Sequence, residues 1–142
     1  MSDSAEIVYQ IFCDDVRLEV GNKFSLMGIF QDIYVQQLPV GLPKMAIITQ
    51  WRGKGDYSSE VRVLTPKKKL LAASPVTQFQ IPEEGFANNV NFFITLQFDE
   101  VGDYTVQTLL DSTPVMERKI RVGVVPQQAD AAAAAAGDDT IN

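Results

Sequence analysis

Cys13 is the only thiol in 142 residues, two aspartates follow it directly, and the chain contains no histidine. Without imidazole the commonest general base is missing, and with it the Ser–His and Cys–His nucleophile pairs. One thiol and no imidazole cannot assemble a zinc site of the thiolate–imidazole kind within one chain. A reactive Cys13 would need a lowered pKa, and Asp14 and Asp15 push it the other way. The plainer reading is a small buried residue closing a strand.

The carboxylates Asp14, Asp15 and Glu19 offer oxygen ligands for a hard cation or a pair for glycoside hydrolysis. Arg17 and Lys23 stand close enough in sequence to neutralise them, and no calcium-loop spacing is present. Gly53-Lys54-Gly55 lacks the spacing of a phosphate-cradling loop and the helix that should follow one. Trp51, Arg52, Lys54 and Tyr57 interleave aromatic and basic side chains around this Gly-rich turn. That is the composition of a recognition loop, because Trp, Tyr and Arg dominate binding hot spots. Against it, Trp51 continues the face of Ile47 and Thr49, which fits a core residue. Lys67-Lys68-Lys69 reads as a solvated hairpin tip that protects an edge. No catalytic or metal residues and no cofactor are expected.

The totals narrow the class further. The chain has a net charge of −6, with 46% hydrophobic and 21% charged residues. Asp3, Glu6, Asp130, Asp138 and Asp139 lie near the ends, leaving thirteen acidic residues against twelve basic ones between them. A nearly neutral middle gives no clustered positive surface, so no nucleic-acid partner is expected. The start is acidic where a signal peptide is basic, and no run of about 18 apolar residues is long enough for a bilayer. A cytoplasmic, non-membrane protein is the expectation, in keeping with a lone thiol.

The positioning elements read as strands. Alternation marks residues 6–13, then 24–30 with a short continuation at 33–35. Pro39, Gly41 and Pro43 predict a loop over 37–43. Residues 45–52 are a strand and Gly53 to Asp56 a turn. Residues 58–65 and 70–73 flank the lysine tip, and 76–81 ends at Pro82. A loop is expected over 83–89. Residues 90–98 alternate most clearly: Val90, Phe92, Ile94, Leu96 and Phe98 against Asn91, Phe93, Thr95 and Gln97. Two further strands follow, 104–110 and 115–125. No ten-residue stretch of this region has a helical period. The domain plan is a flexible N-terminus at 1–5, one β-domain at 6–125, and a low-complexity tail at 126–142 whose six alanines carry no apolar stripe.

About seven to nine strands without helices predict an antiparallel β-sandwich. Asp99, Gly102, Tyr104 and Val106 resemble the Asp-x-Gly-x-Tyr-x-Cys corner of immunoglobulin-like sandwiches. One extra residue separates Asp99 from Gly102, and Val106 stands in the place of the disulfide cysteine. Trp51 resembles the buried tryptophan of their third strand. The resemblance implies that the Tyr104 hydroxyl bonds the backbone a few residues upstream and that Val106 faces the opposing layer. The stretch from Phe12 to Phe30, FCDDVRLEVGNKFSLMGIF, resembles the opening of a family of small, stand-alone, uncharacterised bacterial proteins. That likeness spans about residues 6–125 and brings no activity with it. The expected function is a non-catalytic module working through protein contacts, as a homo-oligomer or an accessory subunit. The alternative is a carbohydrate- or small-ligand-binding sandwich, with a carboxylate-only hydrolase using Asp14 or Asp15 as its catalytic variant.

Overall fold

The computed structural model describes residues 5–125; the alanine-rich tail and the first four residues, about which the sequence makes its flexibility predictions, lie outside them. The described chain is all-β. Its nine strands are β1 (Glu6–Cys13), β2 (Asp15–Glu19), β3 (Lys23–Met27), β4 (Ile33–Val35), β5 (Val40–Leu64), β6 (Leu70–Ala73), β7 (Thr77–Phe98), β8 (Gly102–Leu110) and β9 (Thr113–Val124). Seven form one curled sheet, and β2 pairs with β3 alone. All pairings are antiparallel except β4 with β9, which run parallel.

One long hairpin supports the rest. β5 pairs with β7 from Val40↔Phe98 to Ser59↔Thr77, and β6 continues the same side up to Leu64↔Leu70. On its other side β5 takes β1 along residues 46–52 and β8 along 59–64. The sheet thus curls until its two ends face each other. Phe12, Met45, Ile47, Phe93, Leu96 and Phe98 come from one end. Val61, Val63, Tyr104, Val106, Ile120 and Val122 come from the other, and together they form the main core. Burying these side chains, at roughly 1.5–3 kcal/mol each for a Val- to Phe-sized group, is what holds the curl closed without a disulfide. The β2–β3 hairpin lies over the outer face, packing Val16, Phe24 and Leu26 with Cys13, Ala46 and Ile48.

Three predicted breaks are wholly or partly strand. The expected loop at 37–43 holds for 37–39, but β5 begins at Val40, since Val40, Gly41 and Leu42 pair with Phe98, Gln97 and Leu96. The expected turn at residues 53–56 is a bend inside β5: residues 82–84 of β7 stand opposite Lys54 alone, between Gly53↔Gly85 and Gly55↔Ile81. Gly53 and Gly55 take φ of 140° and 116° there, which glycine adopts without a Cβ penalty. The expected loop at 83–89 is likewise strand. Pro82 is tolerated because it falls in the bulged stretch, where a missing N–H breaks no ladder bond. The sequence also missed β2, because Asp15, Arg17 and Glu19 are polar on a strand that only half covers its neighbours.

The corner forms as the resemblance implies. The Tyr104 hydroxyl donates to the Glu100 carbonyl at 2.8 Å, Val106 is fully buried, and the Tyr104 ring meets Phe98 edge-on at 5.0 Å. Gly102 has φ 137°, and a Cβ there would come within 2.9 Å of Pro66.

Candidate functional site

The side chains singled out for chemistry go to different places. Trp51 is 1% exposed, and Tyr57 is buried beside Phe79 and Ile81 at the bend of β5. The Tyr57 hydroxyl donates to the Lys54 carbonyl at 2.7 Å. Arg52 points outward in an ion pair with Glu6, and Lys54 is exposed. The two aromatic rings therefore stabilise the bend, while the two cations face solvent; the four do not converge on one surface. Asp99 is exposed beside Gln97, at the foot of the Tyr104 corner.

Cys13 is fully buried, and its thiol donates to the Asp15 carbonyl at 3.3 Å. Burial pushes its pKa up, and the charges of Asp14 and Asp15 add to that. It is a poor nucleophile by construction. Asp15 accepts from Lys44 at 2.8 Å, which holds its carboxyl below the ordinary value. Asp14 and Glu19 are exposed. Lys68 is anchored to Thr105 Oγ1 at 3.0 Å, so one cation of the lysine tip is structural.

A polar band crosses the interior. Gln10 donates to Thr49 and Thr108, joining β1 to β5 and to β8 across the curl, and Asn89 donates to Ser59. Gln10 Oε1, Asn91 Oδ1 and Trp51 Nε1 are buried without a partner. The depression nearest Trp51 measures about 210 Å³, opens to solvent, and is lined by Ala5, Glu6, Ile7, Trp51, Val115 and Met116. Sites for drug-sized ligands usually enclose roughly 300 Å³ or more.

The most distinctive surface is one the sequence pattern concealed. Among the described residues, β7 pairs only with β5 and leaves its other edge open. Over 86–94 its inward row is Ala87, Asn89, Asn91 and Phe93; its outward row is Phe86, Asn88, Val90, Phe92 and Ile94, of which Val90 is half-buried against the cluster under the β2–β3 hairpin. Phe86, Phe92 and Ile94 are 56%, 44% and 65% exposed. No residue from Gly85 to Phe98 is charged. Edge strands are normally blunted by charge, proline or brevity, because their free N–H and C=O groups template another strand. This edge carries none of those devices over these residues. Among the described residues, charge comes close to the outward row only from the neighbouring β5: Lys44, ion-paired with Asp15, lies over the Phe92 ring at 4.6 Å, and Arg52, ion-paired with Glu6, stands in register with Phe86. Alternation gave the right period for this strand. It could not give the side, since the sequence offers no sign of where the inward row changes.

No helix among the described residues is long and apolar enough to cross a membrane.

Residues 8–123 match the model of a family of unknown function, DUF6941. No curated protein matches the chain. Among solved structures it is similar to the Pseudomonas fluorescens alkylpurine DNA glycosylase AlkC bound to DNA containing an abasic-site analogue, with TM-score 0.52 and 7% identity. That likeness covers 84% of this chain and 30% of the glycosylase, and it concerns the fold alone. A second similar structure is the C-terminal domain of Wzt, with TM-score 0.43 and 13% identity over 83% of this chain and 72% of that one.

Proposed function

The chain belongs to DUF6941, a family of unknown function, and we propose that it is a non-catalytic, immunoglobulin-like module that works through protein contacts along the open edge of β7. The observation that carries this reading is the uncharged edge with Phe86, Phe92 and Ile94 exposed beside it. An apolar-rich row next to unpaired backbone groups is the chemistry of β-strand addition, where main-chain hydrogen bonds give affinity and alternate side chains give selectivity. We place the module in the cytoplasm, where its one thiol needs no partner.

The carbohydrate or small-ligand reading has less behind it. Its aromatic platform would have to be Trp51 or Tyr57, and both rings are packed into the bend. Its carboxylate pair would use Asp15, which is engaged by Lys44.

The test is a photo-crosslinking amino acid placed at Phe92 in the native host, with Leu70 on β6 as an exposed control. Protein adducts, to this chain or another, are expected from Phe92 well above the level from Leu70. Equal labelling from both positions, or none from Phe92, removes the reading.

A further inference from the structure

The open edge has definite ends, and they make it complementary to itself. At Thr95 the strand takes φ 58°, and at Gly85 it enters the bulge around Pro82, where an added Cβ would meet the proline ring at 2.8 Å. Regular alternation therefore runs only over residues 86–94, whose midpoint is Val90. A twofold axis perpendicular to the sheet at Val90 would bring a second β7 alongside antiparallel, over the whole regular stretch. Directly opposed residues then sum to 180, so Val90 meets Val90, Asn88 meets Phe92 and Phe86 meets Ile94. Opposed residues in an antiparallel pair share a face, and this axis keeps each outward row outward. The two most exposed apolar side chains of the row, Phe86 and Ile94, cover each other twice.

We infer that a second copy of this chain is the occupant of the β7 edge, paired antiparallel over residues 86–94 about Val90. This rests on the reading of β7 as a protein-contact edge and gives that edge its partner. The charge distribution favours a like copy. Two chains of net charge −6 repel each other, yet the stretch they would share has no charge to bring into register against itself. A closed twofold pair also uses up both edges, which an edge of this composition needs if it is not to recruit strands without limit. Asn88, tied on its own sheet to Tyr9 and Gln50 through Oδ1, keeps the outward row from being wholly apolar.

Sedimentation of the purified full chain over a concentration series tests this, with Phe86→Lys, Ile94→Lys and the double variant Phe86→Lys with Ile94→Glu. Both single positions are exposed, and circular dichroism confirms that the variants stay folded. The wild type is expected to be dimeric, dissociating more readily at low salt. Each single lysine should raise the dissociation constant at least about tenfold, since each change recurs twice in the dimer. The double variant should recover much of the loss, because each introduced cation then faces an introduced carboxylate across the axis. In parallel, Val90→Cys should form a disulfide-linked dimer under mild oxidation, its Cα separation of roughly 4.5–5.5 Å lying within disulfide reach; Val115→Cys on β9 should not. A wild type that remains monomeric, a dimer indifferent to the lysines, no rescue by the double variant, or equal linkage at 90 and 115 each overturns the inference. A monomer that still crosslinks to a different protein from Phe92 would defeat this inference alone and leave the broader reading standing.

Discussion

Pro43 and Thr95 stand level with each other in the pairing of β5 with β7, and at that level both strands exchange their inward and outward faces. On one side of them Leu42 and Leu96 pair and pack inward; on the other, Lys44 and Ile94 pair and face out. The register is unchanged across the switch, so no residue is inserted. Thr95 absorbs the reversal with a φ of 58°, opposite a proline that has no N–H to offer the ladder. This one kink turns Phe92 and Ile94 to solvent and buries Leu96 and Phe98.

A β-branched residue at positive φ is strained by about 1–2 kcal/mol, and asparagine is among the residues that tolerate this region better. Thr95→Asn should therefore raise the urea midpoint, by about 0.5–1 kcal/mol of stability, with an unchanged m-value. Thr95→Val, equally branched, should give no gain. Destabilisation by the asparagine would mean that the face switch is not located at Thr95.

Tyr104→Phe keeps the ring but removes the bond to the Glu100 carbonyl, and should cost about 1 kcal/mol at neutral pH. The pH dependence has a definite sign. Burial raises the Tyr104 pKa above 10.0, so the folded chain holds its proton while an unfolded tyrosine releases one. The stabilisation is complete below pH about 10 and is lost as pH rises through the folded pKa. Thermal melts from pH 8 to 11 should show the gap between wild type and Tyr104→Phe closing at the alkaline end. A gap that widens there would contradict the corner bond.

Trp51 is the single tryptophan, so its fluorescence reports its position directly. With the indole 1% exposed, emission should be blue-shifted and weakly quenched by acrylamide until the chain unfolds. Trp51→Ala should cost about 3–5 kcal/mol through the cavity left at the bend. Efficient quenching in the native state would return Trp51 to the surface as a recognition residue.

Cys13 should resist a disulfide reagent such as Ellman's in the native state at pH 8 and react with one equivalent in denaturant. Its raised pKa arises first from burial, so access and thiolate fraction are both low. As with Tyr104, the stabilisation from its suppressed ionisation is whole below the unfolded thiol's pKa and falls away as pH rises. Rapid native-state labelling would show that the β2–β3 hairpin opens readily over the sheet.

Composition and period identified the all-β class, the strand content of most of the chain and the tyrosine corner, because these depend on local spacing. Tyr104 and Gly102 mark the corner within a few residues of each other. Trp51, by its place in the run Ile47, Thr49, Trp51, could be read as core from the same alternation. Pro39 does lie outside a strand, whereas Pro43 and Pro82 misled for one shared reason: a proline breaks a strand only if its missing N–H was needed, and that depends on where it falls against the partner strand. The same holds for Gly53 and Gly55, which bend β5 without ending it.

The sequence by itself determined that the 90–98 segment would be a strand with two unlike rows of side chains, and the structure extends that strand back through the expected loop at 83–89. Which row faces inward was decided by the tertiary structure. A strand's side-chain period is two, so a single unusual φ inverts every assignment beyond it, and nothing local to Thr95 announces that angle. The curl of the sheet then rewards burying Leu96 and Phe98 at one end of the strand and Phe93 at the other, and both cannot face inward without the switch at Thr95. Phe86, Phe92 and Ile94 are left outside as the consequence, along an edge with no neighbour among the described residues.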